Sequence, residues 1–225
     1  MKLSDYKTLI FDCDGVILDS NKVKTQAFFT TALPYGEAAA IALVDYHTAN
    51  GGISRYRKFE YFLSHIVGRH IDEAALQQLL VAYSSEVHKG LRECQCADGL
   101  AELRRLTQGS RWLVASGGDQ QELRELFRER GLADLFDGGI FGSPDNKIDI
   151  LQREVDSANI QLPALFIGDS RYDHVAASHF DMGFVFVQGW TEFEGYIEYC
   201  EQHGLKIVDS LKSLLPTLPE RIEST

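Results

Sequence analysis

Asp12 and Asp14 stand two residues apart at the end of the apolar run Leu9-Ile10-Phe11, and Gly15 follows them at once. Carboxylates at that spacing repel one another unless a cation lies between them. Magnesium takes oxygen ligands of this kind. An EF-hand calcium loop is excluded, because Val16 and Val23 fall where oxygen ligands are required. Three further segments carry groups suited to related chemistry. Ser116-Gly117-Gly118 offers a hydroxyl and glycine-exposed N–H groups that could cradle an anion near a helix N-terminus. Lys147 follows the loop Gly142-Ser143-Pro144-Asp145-Asn146, and Asp169 and Asp173 follow the apolar run Ala164-Leu165-Phe166-Ile167. Each segment also has a plain structural reading: an acidic turn, a capping turn, a solvated lysine, and a turn residue followed by a helix cap.

These groups act together only if strands end at a common edge. The run at 9–11 is too short for a helix and rich in strand formers, and Gly15 permits a tight turn after it. Similar runs at 111–116, 139–141, 164–167, 183–188 and 205–208 read as strands, the last as an edge strand. Helices alternate with them after Gly99: one to Thr107, one from the Asp119/Glu122 capping box to Arg130, and one from Lys147 fading near Asn159. That alternation with short links predicts a parallel α/β sheet. Ligands bind at the carboxyl edge of such a sheet.

Residues 20–89 read as helices only. The first runs from the caps Asp19-Ser20-Asn21 to Thr31, the second from Gly36 to His47. Ser54 caps a third, with Tyr56, Phe59, Phe62, Leu63 and Ile66 at helical spacing, and the fourth spans Asp72 to Lys89. The expected fold is therefore α/β, a doubly wound parallel-sheet (Rossmann-like) core interrupted by an all-helical cap. Residues 1–16 and 93–225 form the core and 17–92 the cap, with hinges near Val16–Ser20 and Gly90–Ala97. The tail after Pro216 is expected to fray.

The 225 residues are 44% hydrophobic and carry a net charge of −11. That composition excludes a disordered chain, and that charge repels nucleic acid and anionic lipid. No apolar run approaches the ~18 residues of a membrane span, and the N-terminus lacks the apolar block of a signal peptide. A cytoplasmic protein is expected. The four cysteines are expected to be reduced, and Cys94-Gln95-Cys96 has no second pair to complete a zinc site. His174 alone of the seven histidines lies near a motif, and it reads as a helix residue.

The order of the motifs discriminates: Asp12-Cys13-Asp14-Gly15, then Ser116, then Lys147, then Gly168-Asp169-Ser170-Arg171-Tyr172-Asp173. It resembles the haloacid dehalogenase-like hydrolase superfamily, in its helical-cap subgroup of phosphoglycolate phosphatases and beta-phosphoglucomutases. The resemblance implies an Mg2+-dependent phosphatase acting on a small phosphorylated metabolite, a sugar phosphate or a phosphoglycolate-like acid. Asp12 would be the nucleophile that forms an aspartyl-phosphate, and Asp14 the general acid and base. Asp12, the Asp14 backbone carbonyl and Asp169 would hold the metal, with Asp173 as support or further ligand. Ser116, the Gly117 N–H and Lys147 would hold the phosphoryl oxygens. The turn between cap helices would select substrate through Asn50 and Arg55, beside the basic residues Arg57 and Lys58. Dehalogenases and phosphonatases of the superfamily lack an acid at the position of Asp14, whereas phosphomutases keep it. A phosphomutase, and a binding or regulatory protein with little turnover, are the other readings. A monomer or homodimer is expected.

Overall fold

A computed structural model describes residues 2–68 and 72–216. The frayed tail expected after Pro216 lies outside them.

Six parallel strands form one sheet in the order β3-β2-β1-β4-β5-β6. They are β1 (Thr8–Phe11), β2 (Arg111–Asp119), β3 (Gly139–Ser143), β4 (Ala164–Gly168), β5 (Gly183–Val187) and β6 (Lys206–Val208). β1 is central, with Thr8 opposite Arg111 on one side and Ala164 on the other. Every residue of β1 is buried, so the strand reads as an unbroken apolar run. Alternate residues still face opposite layers. Leu9, Phe11 and Cys13 join one core and Ile10 the other. Of the helices, α5 (Leu100–Leu106) and α6 (Gln120–Glu129) pack in the first core, α7 (Lys147–Asp156) and α8 (Arg171–His179) in the second. A ninth helix, α9 (Tyr196–His203), precedes β6.

The chain runs β1, β2, β3 toward one edge and then crosses back to β4 on the other side of β1. The topological switch point, where open α/β sheets bind ligands, therefore lies between β1 and β4. These are the strands that end in Asp12 and Asp169.

Between β1 and α5 stand four α-helices and, among the described residues, no strand: α1 (Asn21–Ala32), α2 (Glu37–Ala49), α3 (Arg55–Tyr61) and α4 (Glu73–Glu93). Their apolar faces share one continuous cluster with the α5/α6 side of the sheet. The two connections to this block run side by side: Asp19 N–H donates to the Gln95 carbonyl at 2.9 Å and Ala97 N–H to the Ile17 carbonyl at 2.8 Å.

Local expectations differ from the structure at four places. α4 continues past Lys89 through Gly90, where an added Cβ would lie 2.4 Å from Val23 Cγ1. The glycine permits a close α1–α4 crossing rather than ending the helix. The third helix is regular only to Tyr61 and widens to a π turn over Phe62–Ile66. β2 runs past Ser116 to Asp119, with a register shift against β3 between Ala115 and Asp119. Asp119 caps α6 by accepting from the N–H groups of Gln121 and Glu122, but the Glu122 carboxylate is drawn away by Arg55, so the reciprocal box does not close.

Candidate active site

The turn after β1 places both carboxylates of the first motif. Asp12 follows the last strand residue and is 3% exposed. Its Oδ1 accepts from the Cys13 N–H at 2.7 Å, and its Oδ2 lies 2.9 Å from Lys147 Nζ. Gly15 takes φ +74°, and a Cβ there would lie 2.0 Å from Asp169 Oδ2. The glycine thus serves conformation and close approach at once. Asp14 turns toward the helical block, where Ser20 Oγ donates to its Oδ1 at 2.5 Å and Lys24 pairs with its Oδ2.

Asp169 leaves the end of β4. Asn21 Nδ2 donates to its Oδ2 at 2.8 Å and Thr191 Oγ1 to its carbonyl at 2.6 Å. Asp173 sits at the third position of α8, in a capping box with Ser170. Its Oδ2 accepts from the Ser170 N–H at 3.1 Å and from Ser170 Oγ at 2.7 Å, while its Oδ1 pairs with Lys147. Carboxylate oxygens of Asp12, Asp169 and Asp173 lie within 4.8 Å of one another, and all three residues are buried. Lys147, at the start of α7, is fully buried between Asp12 and Asp173.

The electrostatics follow from this crowding. Burial, then repulsion from Asp12 and Asp173, pushes the Asp169 carboxyl well above its usual range. Burial also raises Asp12, to about 7, against the pull of Lys147. Burial opposes the Asp14 charge as well, but Lys24 and Ser20 together outweigh it and hold this carboxyl low. Two buried acids pushed upward at one point describe a place that lacks positive charge. A hard cation fits that donor set: Asp12 and Asp169 each present a carboxylate, and Gly15 keeps the space beside Asp169 open. Asp173 already spends its oxygens on Lys147 and Ser170.

A cavity of about 250 Å³ lies over these residues. Its floor includes Asp12, Asp14 and Asp169, and its walls include Lys24, Phe28, His47, Asn50, Lys58 and Tyr83 from the helical block. The block meets the sheet edge closely at the α2–α3 turn: a Cβ on Gly117 would lie 2.5 Å from the Gly52 carbonyl oxygen. Arg55 spans the same junction, with Nη2 2.6 Å from Glu122 Oε2 and Nη1 donating to Ser84 Oγ at 2.8 Å. Tyr56 donates to Asp119 Oδ2 at 2.9 Å.

Asp12, Asp14, Lys147, Asp169 and Asp173 are thus brought together. Ser116 lies at the same edge, wholly buried, its Oγ accepting from the Gly118 N–H at 3.0 Å. Gly117 and Asn50 line the cavity, and Asn50 Nδ2 donates to the Tyr46 carbonyl at 2.8 Å. Arg55 also lines it, but its guanidinium is engaged by Glu122, and Arg57 points outward to Glu60 at 3.1 Å. His174 lies on α8 with Nδ1 2.7 Å from the Tyr199 hydroxyl. Sequence reasoning passed over Asn21, Lys24 and His47. Asn21, Lys24 and Phe28 recur at three and four residues on one helix face, and a polar pair on that otherwise apolar stripe was the available signal. His47 gave none, since its place depends on α3 crossing the end of α2.

Comparison with known proteins agrees with this geometry. A family model described as haloacid dehalogenase-like hydrolase matches residues 6–181. No curated protein sequence matches. Among solved structures, a predicted phosphatase from Clostridium acetobutylicum superposes with TM-score 0.70 at 21% identity, covering 93% of this chain and 96% of that one. A hydrolase from Pseudomonas syringae gives TM-score 0.71 at 19% identity, covering 92% and 95%. A predicted phosphoglycolate phosphatase from Haemophilus somnus 129PT gives 0.63 at 16%, covering 81% and 85%. These likenesses establish a shared fold, and the family match over most of the chain, with the four motifs gathered at one sheet edge, makes this protein a member of the haloacid dehalogenase-like hydrolases.

Proposed function

We propose that the protein is a magnesium-dependent phosphatase that hydrolyses a small phosphorylated metabolite. The observation that carries this reading is the meeting of Asp12 and Asp169 at the switch point, with Lys147 behind them and Asp14 beside them on the cavity floor. The helical residues 17–92 act as a cap over the core formed by 1–16 and 93–225.

Asp12 attacks phosphorus through a carboxylate oxygen, and the ester P–O bond breaks as the Asp12 O–P bond forms. Asp14 gives its proton to the departing alkoxide, then takes one from the water that attacks the aspartyl-phosphate. That second attack releases inorganic phosphate and restores Asp12. For the first half Asp14 must carry a proton, so its pair with Lys24 loosens as the substrate's negative charge draws the ammonium away. Lys147, Ser116 and the Gly117 N–H stabilise the phosphoryl oxygens. Asp12, the Asp14 carbonyl and Asp169, with Asp173 in support, would hold magnesium, which would supply charge neutralisation for the phosphoryl group. The cap excludes water, and Asn50 stands at its turn over the substrate.

The test is phosphate release from a panel of phosphorylated metabolites, with magnesium or with chelator, for the native chain and Asp12→Asn. The expected result is metal-dependent release that falls by at least about 10³-fold in the variant. A native chain that releases nothing but forms a base-labile phosphoprotein points to a phosphomutase. A folded native chain that does neither overturns the catalytic reading.

A further inference from the structure

Lys58 is a buried cation whose charge the protein does not balance. The residue is 2% exposed and lines the cavity. Its Nζ lies 2.6 Å from His47 Nδ1 and 3.4 Å from the His47 carbonyl oxygen. Among the described residues no carboxylate pairs with it. Its basic neighbours are all compensated: Lys24 by Asp14, Lys147 by Asp12 and Asp173, Arg55 by Glu122.

The surroundings give an ammonium little reason to be there. Lys58 Nζ lies 5.5 Å from the Phe28 ring centre, and the His47 ring packs at a tilt against the same phenyl at 4.5 Å. The Tyr83 ring also packs against Phe28, at 4.4 Å. A dry ammonium beside aromatic rings is costly without a partner, and a methionine would fill the same space. An ammonium can only donate, so His47 Nδ1 accepts from it, leaving Nε2–H as a donor on a residue that also lines the cavity. The Tyr83 hydroxyl, on the same wall, has no hydrogen-bond partner among the described residues. Three residues with donor groups thus line the helical wall of the cavity.

We propose that Lys58, His47 and Tyr83 form a second anion subsite, so that the substrate is a small phosphomonoester bearing a second anionic group, a carboxylate or a further phosphate. This rests on the phosphatase reading, which puts the scissile phosphate beside Asp12. The second anion supplies the charge that Lys58 lacks, and the cavity of about 250 Å³ limits the substrate to a small molecule.

The experiment compares substrates in pairs that differ by one anionic group: 2-phosphoglycolate against ethyl phosphate, and glucose 1,6-bisphosphate against glucose 6-phosphate. Native, Lys58→Met and Lys58→Arg chains are assayed, with circular dichroism to confirm folding and His47→Gln as a second variant. The native chain is expected to prefer the two-anion member of one pair by about 10- to 100-fold in kcat/KM, the scale of one charged hydrogen bond. The pair that shows the preference distinguishes carboxylate from phosphate. In Lys58→Met the preference collapses, mainly through KM, and Lys58→Arg restores most of it. No preference in either pair, or a preference that survives Lys58→Met, overturns the subsite. If the native chain releases no phosphate from any substrate, the phosphatase reading fails by itself. Calorimetric titration with phosphonoacetate against methylphosphonate then decides the subsite: preferential binding of the former, lost in Lys58→Met, supports it, and equal or absent binding overturns it.

Discussion

Lys147 carries one positive charge into the company of three buried carboxyl groups, Asp12, Asp169 and Asp173, too little to balance all three when ionised. Such a cluster is tolerable when a divalent ion completes it, and costly otherwise. Lys58 is the opposite case, an excess of positive charge. Burial and repulsion from Lys24 hold it at about 7 in the folded chain, against about 10.4 when unfolded. The other groups that face it are His47, Tyr83, Asp14, Glu192 and Lys147. Between those two values the unfolded chain binds the extra proton, so stability rises with pH across that window. Lys58→Met removes the titrating group. The variant is expected to lack this part of the rise and to be more stable at pH 7 by roughly 1–2 kcal/mol. Urea unfolding at pH 7 and pH 9 measures both; identical pH dependence in the two chains would count against a desolvated Lys58.

The elements meet the site through their ends. β1 stops at Asp12 because the chain must turn within three residues, and only a residue without Cβ takes φ +74° against Asp169. Gly15→Ala is expected to push the Asp169 carboxylate aside. Magnesium-dependent phosphate release should fall by more than about tenfold, and the added left-handed strain should cost about 1–2 kcal/mol. Magnesium titration by calorimetry separates the two effects, since native metal affinity in Gly15→Ala would mean that Asp169 had not moved. α8 meets the site at its start: Asp173 closes the capping box with Ser170 and reaches Lys147 with its other oxygen. The same side chain thus serves as a helix cap and as a support for the site.

Across the whole molecule, the helical block closes on the sheet edge through polar contacts above a shared apolar core. Arg55 is nearly buried, and its guanidinium reaches Glu122 of α6 through both nitrogens, at 3.0 Å and 2.6 Å. Tyr56 adds the bond to Asp119. Contacts of this kind can be broken and remade as a cap opens for substrate. Arg55→Ala is expected to loosen the junction while the fold persists. Amide exchange should quicken in α3 and at the α2–α3 turn, and stability should fall by about 1–3 kcal/mol, the cost of leaving Glu122 and Ser84 without their partner. Hydrogen-exchange mass spectrometry checks this; unchanged protection in α3 would show that apolar packing alone holds the block down.

Alternation of apolar runs and helical stripes was enough to show a parallel α/β sheet interrupted by helices, because burial on both faces of a strand and on one face of a helix leaves different periods. Motif order was enough to single out Asp12, Asp14, Ser116, Lys147, Asp169 and Asp173, because chemistry at one sheet edge draws residues from successive strand ends. Tertiary structure decided the rest. Whether Arg55 faces a ligand or Glu122, and whether Lys58 has a counter-charge, depends on which helices cross at which residues. Gly90 shows the same dependence: in sequence it reads as a helix end, and in the fold it is the point where α1 and α4 approach. Spacing along one chain records the face a residue occupies, but the partner it meets there is set by packing between segments distant in sequence.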